Sequence, residues 1–159
     1  MSGQVRVLIA DKMDPKAAAI FRERGIDVDE KPGLSPEEFR AIIGEYDGLA
    51  VRSSTKVNAA AMDAAVPRLK VIGRAGIGVD TIDVPAATAR GIVVMNTPFG
   101  NSIRTPEHAI AMIFALAREI PAADQSTQAG KWEKNRFMGV DLGTNALGRV
   151  GCGNIGSIV

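Results

Sequence analysis

Short apolar runs recur along the first hundred positions, each followed by a longer stretch of helical periodicity. Residues 5–10 form a compact run rich in β-branched side chains, followed by Asp14-Pro15 and an Ala-rich segment ending at Gly25. This predicts a strand, then a helix with Pro at its start and Gly at its stop. A second unit follows, with a short strand over residues 26–29 and a helix opening at Ser35-Pro36-Glu37-Glu38 and running through Ile43. The spacing of Ser35 and Glu38 fits a capping box, and Pro36 falls at the first helical position, where its missing N–H is not needed. Residues 48–51, 70–73 and 92–95 read as further strands, separated by helices starting near Asn58 and Asp83. Strands alternating with helices of this length imply right-handed crossovers and a parallel sheet with helices on both faces. The expected fold is α/β, a doubly wound parallel sheet, with residues 1–98 as the first domain.

The pattern changes at Asn96-Thr97-Pro98-Phe99-Gly100-Asn101-Ser102, a run of turn formers suited to a domain boundary. Thr105-Pro106-Glu107 is expected to cap a helix through about Ile120. Ile110, Met112, Ile113, Phe114 and Leu116 make that helix apolar around most of its circumference, which predicts burial between layers. Pro121 is expected to break it, with a second helix running to Ala129. Residues 142–150 then read as a strand leading into Gly151-Cys152-Gly153-Asn154-Ile155-Gly156. Residues 99–159 are thus expected to hold the crossing helices and the opening of a second domain, most of it beyond Val159.

Composition removes several classes of function. The hydrophobic fraction of 46% and charged fraction of 23% are those of a folded globular chain. Nineteen basic and eighteen acidic residues leave a net charge of +1, with no basic tract to neutralise a row of phosphates, so nucleic acid is not an expected partner. The longest apolar stretch, residues 109–117, is far short of the roughly 20 residues that span a bilayer. With Met1-Ser2-Gly3 leading directly toward a strand and neither a signal nor a transit pattern, the expected location is the cytoplasm. The single cysteine, Cys152, excludes an internal disulfide and has no neighbours at metal-ligand spacing, so no metal site is expected.

Two sets of residues could carry chemistry. In a Gly-x-Gly-x-x-Gly turn between strand and helix, the backbone approaches a pyrophosphate at the helix amino terminus, and Gly151, Gly153 and Gly156 fit those roles. A chance glycine-rich turn is the competing reading in a chain with 17 glycines. The second set is Val51-Arg52-Ser53-Ser54-Thr55 and Gly73-Arg74-Ala75-Gly76-Ile77-Gly78-Val79-Asp80, each at the carboxyl end of a predicted parallel strand, where ligands of open α/β sheets gather. Arg52 and Arg74 can present planar, permanently charged forks to a phosphate or carboxylate, and Ser53 and Gly76 are expected to leave backbone N–H groups unobstructed. Alternatively both arginines are solvated or pair with acids such as Asp47 and Asp80.

The segments 74–80, Asn96-Thr97-Pro98, Glu107-His108-Ala109, Gly130-Lys131-Trp132 and 151–156, in this order and spacing, resemble the D-isomer-specific 2-hydroxyacid dehydrogenase family. Gly130-Lys131-Trp132-Glu133-Lys134-Asn135-Arg136-Phe137-Met138-Gly139 looks specific to the branch acting on 3-phosphoglycerate. The resemblance implies a flavodoxin-like substrate domain followed by a truncated Rossmann-type dinucleotide-binding domain. It also implies NAD-dependent oxidation of 3-phospho-D-glycerate to 3-phosphohydroxypyruvate, a step toward serine, by a homo-oligomer. By that resemblance Arg52, Ser53, Arg74 and Gly76 hold the substrate's anionic groups, and Lys134 reaches the phosphate in a neighbouring subunit. Ile77, Gly151, Gly153, Asn154, Ile155 and Gly156 match positions that contact NAD. The family's catalytic arginine, glutamate and histidine fall beyond this chain, which is expected to be inactive alone.

His108, the one histidine, lies in the first turn of the crossing helix, where a positive charge is disfavoured, and is read as structural. Trp132 and Phe137 are read as packing residues, and Cys152 as a small residue in a tight turn. Arg149 departs from the family pattern, because a charge in a central strand buried on both faces is costly. Arg104, Pro106 and Thr81 also replace residues more usual in the family. Two other readings remain. A phospho-receiver domain would need an acceptor Asp where this chain has Arg52. A non-catalytic dinucleotide- or partner-binding fragment of the same family is the alternative function.

Overall fold

The structure is a computed structural model that describes residues 4–100 and 102–159. The expected amino-terminal lead at residues 1–3 and one residue of the expected boundary, Asn101, lie outside the described residues. The chain divides into two compact units, Met1–Gly100 and Asn101–Val159.

In the first unit five strands, β1 (Arg6–Ile9), β2 (Asp27–Glu30), β3 (Gly48–Val51), β4 (Val71–Arg74) and β5 (Val93–Asn96), form one parallel sheet in the order β2-β1-β3-β4-β5. The crossovers carry α1 (Pro15–Glu23), α2 (Pro36–Ile42), α3 (Ala59–Ala65) and α4 (Val84–Ala89). Each helix starts where a side chain satisfies an orphan N–H. Asp14 accepts from the Lys16 N–H, Asn58 from Ala61 and Asp83 from Ala86. Ser35 and Glu38 close the expected capping box. Gly25 ends the first helical unit at φ +71°, a conformation that side chains with a Cβ rarely adopt.

The two faces of the sheet are covered unequally. Leu8, Leu49, Val51 and Ile72 pack against Phe39 of α2, Met62 of α3 and Ala87 of α4 in the main core. Each large apolar side chain buried there contributes roughly 1.5–3 kcal/mol. On the opposite face, among the described helices of this unit, α1 packs its Ala18 on Val7, Ile9 and Val28. Registers Val7↔Gly48↔Val71↔Val93 and Ile9↔Ala50↔Gly73↔Met95 run across that face. Its far end is open, with Val93 57% and Met95 58% exposed. A hollow of about 400 Å³ lies there, lined by Val7, Met13, Phe21, Ala50, Gly73 and Met95 among others.

The second unit departs from expectation in four respects. Its first helix, α5 (Arg104–Ala117), follows Ile103, which already has right-handed helical geometry, so Thr105 lies inside the helix and is not its cap. The helix stops at Ala117, and Glu119 at φ +51° turns the chain into α6 (Ile120–Gln128). Pro121 therefore opens the second helix, where its ring is tolerated. Burial of α5 is also corrected, since Met112, Phe114 and Leu116 are 57%, 52% and 82% exposed. Finally, residues 142–150 form a 3-10 turn at Leu142–Thr144 and then irregular chain, with no strand. A parallel strand must pair its N–H and C=O groups with neighbours, and no other strand lies among the described residues of this unit.

Candidate functional site

Parallel strands bring their carboxyl ends to one edge of the sheet. The chain leaves β1 toward β2 on one side and leaves β3 toward β4 on the other, so a topological switch point lies between β1 and β3. Crevices at such points are where open α/β sheets take their ligands. Asp11 lies two residues past the end of β1, and residues 52–55 follow β3.

Asp11 fastens this crevice. It is 4% exposed. One carboxylate oxygen, Oδ2, accepts from the Arg52 N–H at 2.6 Å and the Ser54 N–H at 3.3 Å. The other, Oδ1, accepts from the Thr55 N–H at 3.1 Å and the Thr55 hydroxyl at 2.6 Å. Burial pushes the Asp11 carboxyl up, but the hydrogen bonds from Thr55, Arg52 and Ser54 outweigh it and hold the group below the ordinary carboxylate range. Of the loop's four amides only that of Ser53 makes no hydrogen bond among the described residues.

The two arginines expected at this edge differ in their surroundings. Arg52 is exposed, and among the described residues its guanidinium makes one hydrogen bond, to the Lys12 carbonyl at 3.3 Å. It does not pair with Asp47, which accepts instead from the Arg6 N–H and from Arg68. Arg74 has a side chain 10% exposed. Its Nε donates to the Arg52 carbonyl at 2.9 Å, its Nη1 to the Gly78 carbonyl, and its Nη2 lies 3.5 Å from Asp80. The pairing with an acid that the sequence left open is therefore made by Arg74 and not by Arg52.

The glycine turn after β4 wraps this guanidinium. A Cβ at Gly76 would stand 3.2 Å from Arg74 Nη1, and one at Gly78 would stand 2.9 Å from Asp80 Oδ1. The Gly76 N–H, expected to be unobstructed, donates to the Arg74 carbonyl at 2.9 Å, because the turn closes on its own backbone. Asn96 at the end of β5 braces the turn from the other side, its amide donating to the Ile77 carbonyl at 2.7 Å. Neither Asp11 nor Asn96 was given a site role from the sequence, although Asn96 belongs to the Asn96-Thr97-Pro98 motif. The signal for Asp11 was an acid directly after an apolar run on the ligand edge.

In the second unit, residues 131–140 fold back on the helices. Ser126 donates to Glu133 Oε2 at 2.6 Å, and Val140 donates its N–H to the Ala117 carbonyl at 2.8 Å. That return needs Gly139, whose φ is +60° and whose place leaves no room for a Cβ beside the Ala117 carbonyl. The hydrogen bond from Ser126, followed by smaller effects including Arg136, holds the Glu133 carboxyl below its ordinary range despite partial burial. Lys134 is exposed on a small cavity of about 170 Å³ shared with Trp132 and Phe137. Trp132 is 85% exposed, which corrects its reading as a packing residue. The fold-back is held by backbone bonds and by Glu133, so it needs no buried indole. Phe137 is half-buried under the Arg136 guanidinium, and His108 is exposed on α5.

At residues 151–156 the structure supplies a turn alone. Gly151 has φ +92°, and a Cβ at Gly156 would collide with the Gly151 carbonyl, so the turn is closed on itself and admits only glycine at its third position. Asn154 is exposed and Ile155 half-buried. Arg149, expected to be costly inside a strand, is exposed and donates to the Gly156 carbonyl. The glycines fit a pyrophosphate, but the flanking strand and helix that would aim N–H groups at it are not formed among the described residues. Those residues also contain no cluster of three or more His, Cys, Asp or Glu side chains that could hold a metal, and no helix long and apolar enough to cross a membrane.

The family model described as D-isomer specific 2-hydroxyacid dehydrogenase, catalytic domain, matches residues 7–151. The chain belongs to this family. It is 48% identical over 152 residues to a D-3-phosphoglycerate dehydrogenase of Archaeoglobus fulgidus, covering 96% of this chain and 29% of that protein. The chain thus spans less than a third of that relative's length. A crystal structure of a Thermus thermophilus protein superposes with a TM-score of 0.86 at 33% identity, over 97% of this chain and 51% of the other. A 3-phosphoglycerate dehydrogenase from Entamoeba histolytica, solved with NAD+ bound, matches with a TM-score of 0.74 at 28% identity, over 98% and 49% respectively. The sheet and its helices are therefore the α/β fold of 2-hydroxyacid dehydrogenases.

Proposed function

We propose that this chain forms the substrate-binding part of an NAD-dependent dehydrogenase that oxidises 3-phospho-D-glycerate to 3-phosphohydroxypyruvate, a step toward serine. The observation that carries this reading is the exposed Arg52 guanidinium beside the uncommitted Ser53 N–H at the switch point between β1 and β3. A fixed cation and a backbone donor side by side suit a carboxylate or phosphate oxygen. The names of the relatives supply the substrate, and the NAD+-bound structure supplies the cofactor.

In this reading Arg52 and Ser53 hold an anionic group of the substrate, while Arg74 and Gly76 shape the loop around it. By the family resemblance Ile77 in the first unit and residues 151–156 in the second are each positions that contact the dinucleotide, and Lys134 serves a phosphate in a second subunit. Bound NAD supplies the hydride acceptor. The one histidine of the chain, His108, is exposed on α5 and does not match the family's catalytic position, so the 159 residues alone are expected not to turn over.

Titration of the chain with 3-phosphoglycerate, followed by amide chemical shifts, should move Ser53 and its neighbours. Arg52→Ala should weaken binding about tenfold or more. Shifts confined to other surfaces would sink the assignment, and NADH formation by this chain alone would refute the expected absence of turnover. A second reading is a non-catalytic fragment that binds dinucleotide or a partner protein, and the exposed apolar side chains Met112, Phe114 and Leu116 of α5 favour its partner-binding form. Titration with NAD while following fluorescence of the exposed Trp132 separates a fragment that binds dinucleotide from an inert one, since only a competent site responds.

A further inference from the structure

We propose that Asp11 is the positioning residue of the substrate loop, an internal anion that fixes the backbone of residues 52–55 and leaves Ser53 as the one amide open to a ligand. The proposal rests on the substrate site assigned above to Arg52 and Ser53, and it names what holds that site in shape. Three of the four loop amides and the Thr55 hydroxyl converge on one buried carboxylate. Converging N–H groups of this kind are an anion nest. Here the protein fills its own nest, so an external anion cannot take those three donors and is left with Ser53 and the Arg52 side chain. The Arg52 carbonyl is meanwhile held from the other side by Arg74 Nε at 2.9 Å. With its N–H and its carbonyl both tied, the peptide groups flanking Arg52 cannot rotate, and the exposed guanidinium starts from a fixed base. Rigid support of this sort lowers the ordering cost of binding without touching the ligand.

Asp11→Asn keeps the shape of the side chain but brings an NH2 group toward donors, so one arm of the nest faces N–H against N–H. The full chain carrying this substitution is expected to bind 3-phosphoglycerate about tenfold more weakly. Core amides such as Leu8 and Ile72 should keep their shifts, while Arg52, Ser54 and Thr55 lose protection from hydrogen exchange. Thr55→Val removes the 2.6 Å hydroxyl contact to Asp11, with a long 3.5 Å contact to the Ala10 carbonyl, and should give a smaller loss of binding, and Thr55→Ser, which retains a hydroxyl, should restore most of it. Affinity of Asp11→Asn within twofold of the parent overturns the proposal. If Asp11→Asn does not fold, the Thr55 pair decides, and equal binding by Thr55→Val and the parent overturns it. If the parent chain does not bind 3-phosphoglycerate at all, the functional reading fails separately. Exchange then decides the positioning role: a loss of protection confined to residues 52–55 supports it, and unchanged protection overturns it.

Discussion

Arg74 donates its Nε–H to the backbone carbonyl of Arg52 at 2.9 Å, so one of the two arginines expected to take an anion fastens the loop that carries the other. The planar fork suits this task, because it reaches the Arg52 and Gly78 carbonyls from one rigid group. A lysine has no such fork. Arg74→Lys should therefore destabilise the first unit by about 1–3 kcal/mol, the range for hydrogen bonds of a charged group. The urea midpoint measures this. A midpoint unchanged from the parent would show that the two carbonyls are equally well served by water.

Asp11 gives a pH dependence with a definite sign. Its folded carboxyl lies below the ordinary value, so the unfolded chain binds the proton more readily. Its contribution to stability is full above about pH 4, the unfolded value, and is lost as pH falls through the lower folded value. Urea midpoints measured from pH 6 down to 3 should fall more steeply for the parent chain than for Asp11→Asn. Parallel curves would show that Asp11 is not held ionised.

Ser35 accepts from the Glu38 N–H at 3.2 Å while Glu38 Oε2 accepts from the Ser35 N–H at 2.9 Å. The bond from the Ser35 N–H, above all, keeps Glu38 below the ordinary carboxylate range. Ser35→Ala should cost about 1 kcal/mol of stability, read from the same denaturation curves, and should leave ligand binding unaltered.

The exposed apolar side chains of α5 favour self-association. Sedimentation velocity over a concentration series is expected to show species heavier than the monomer. Leu116→Lys, at the most exposed of these positions, should shift the distribution toward monomer. A compact monomer at every concentration in the parent would show that this face needs no cover.

The sequence by itself determined the first unit. All five strands and four crossover helices follow from apolar runs and from caps at Asp14, Ser35, Asn58 and Asp83, because these signals act between residues close in the chain. It also brought Arg52, Ser53, Arg74 and Gly76 to one edge, since parallel strands must end together. What it could not distinguish was which of two chemically identical guanidinium groups meets solvent. That depends on the Arg52 and Gly78 carbonyls, 22 and 4 residues from Arg74, and on the buried Asp11, 41 residues before Arg52. The second unit shows the opposite limit. Local pattern around residues 142–150 suggested a strand, but a strand exists only where neighbours accept and donate along both its edges, and pairing of that kind is decided by tertiary structure alone.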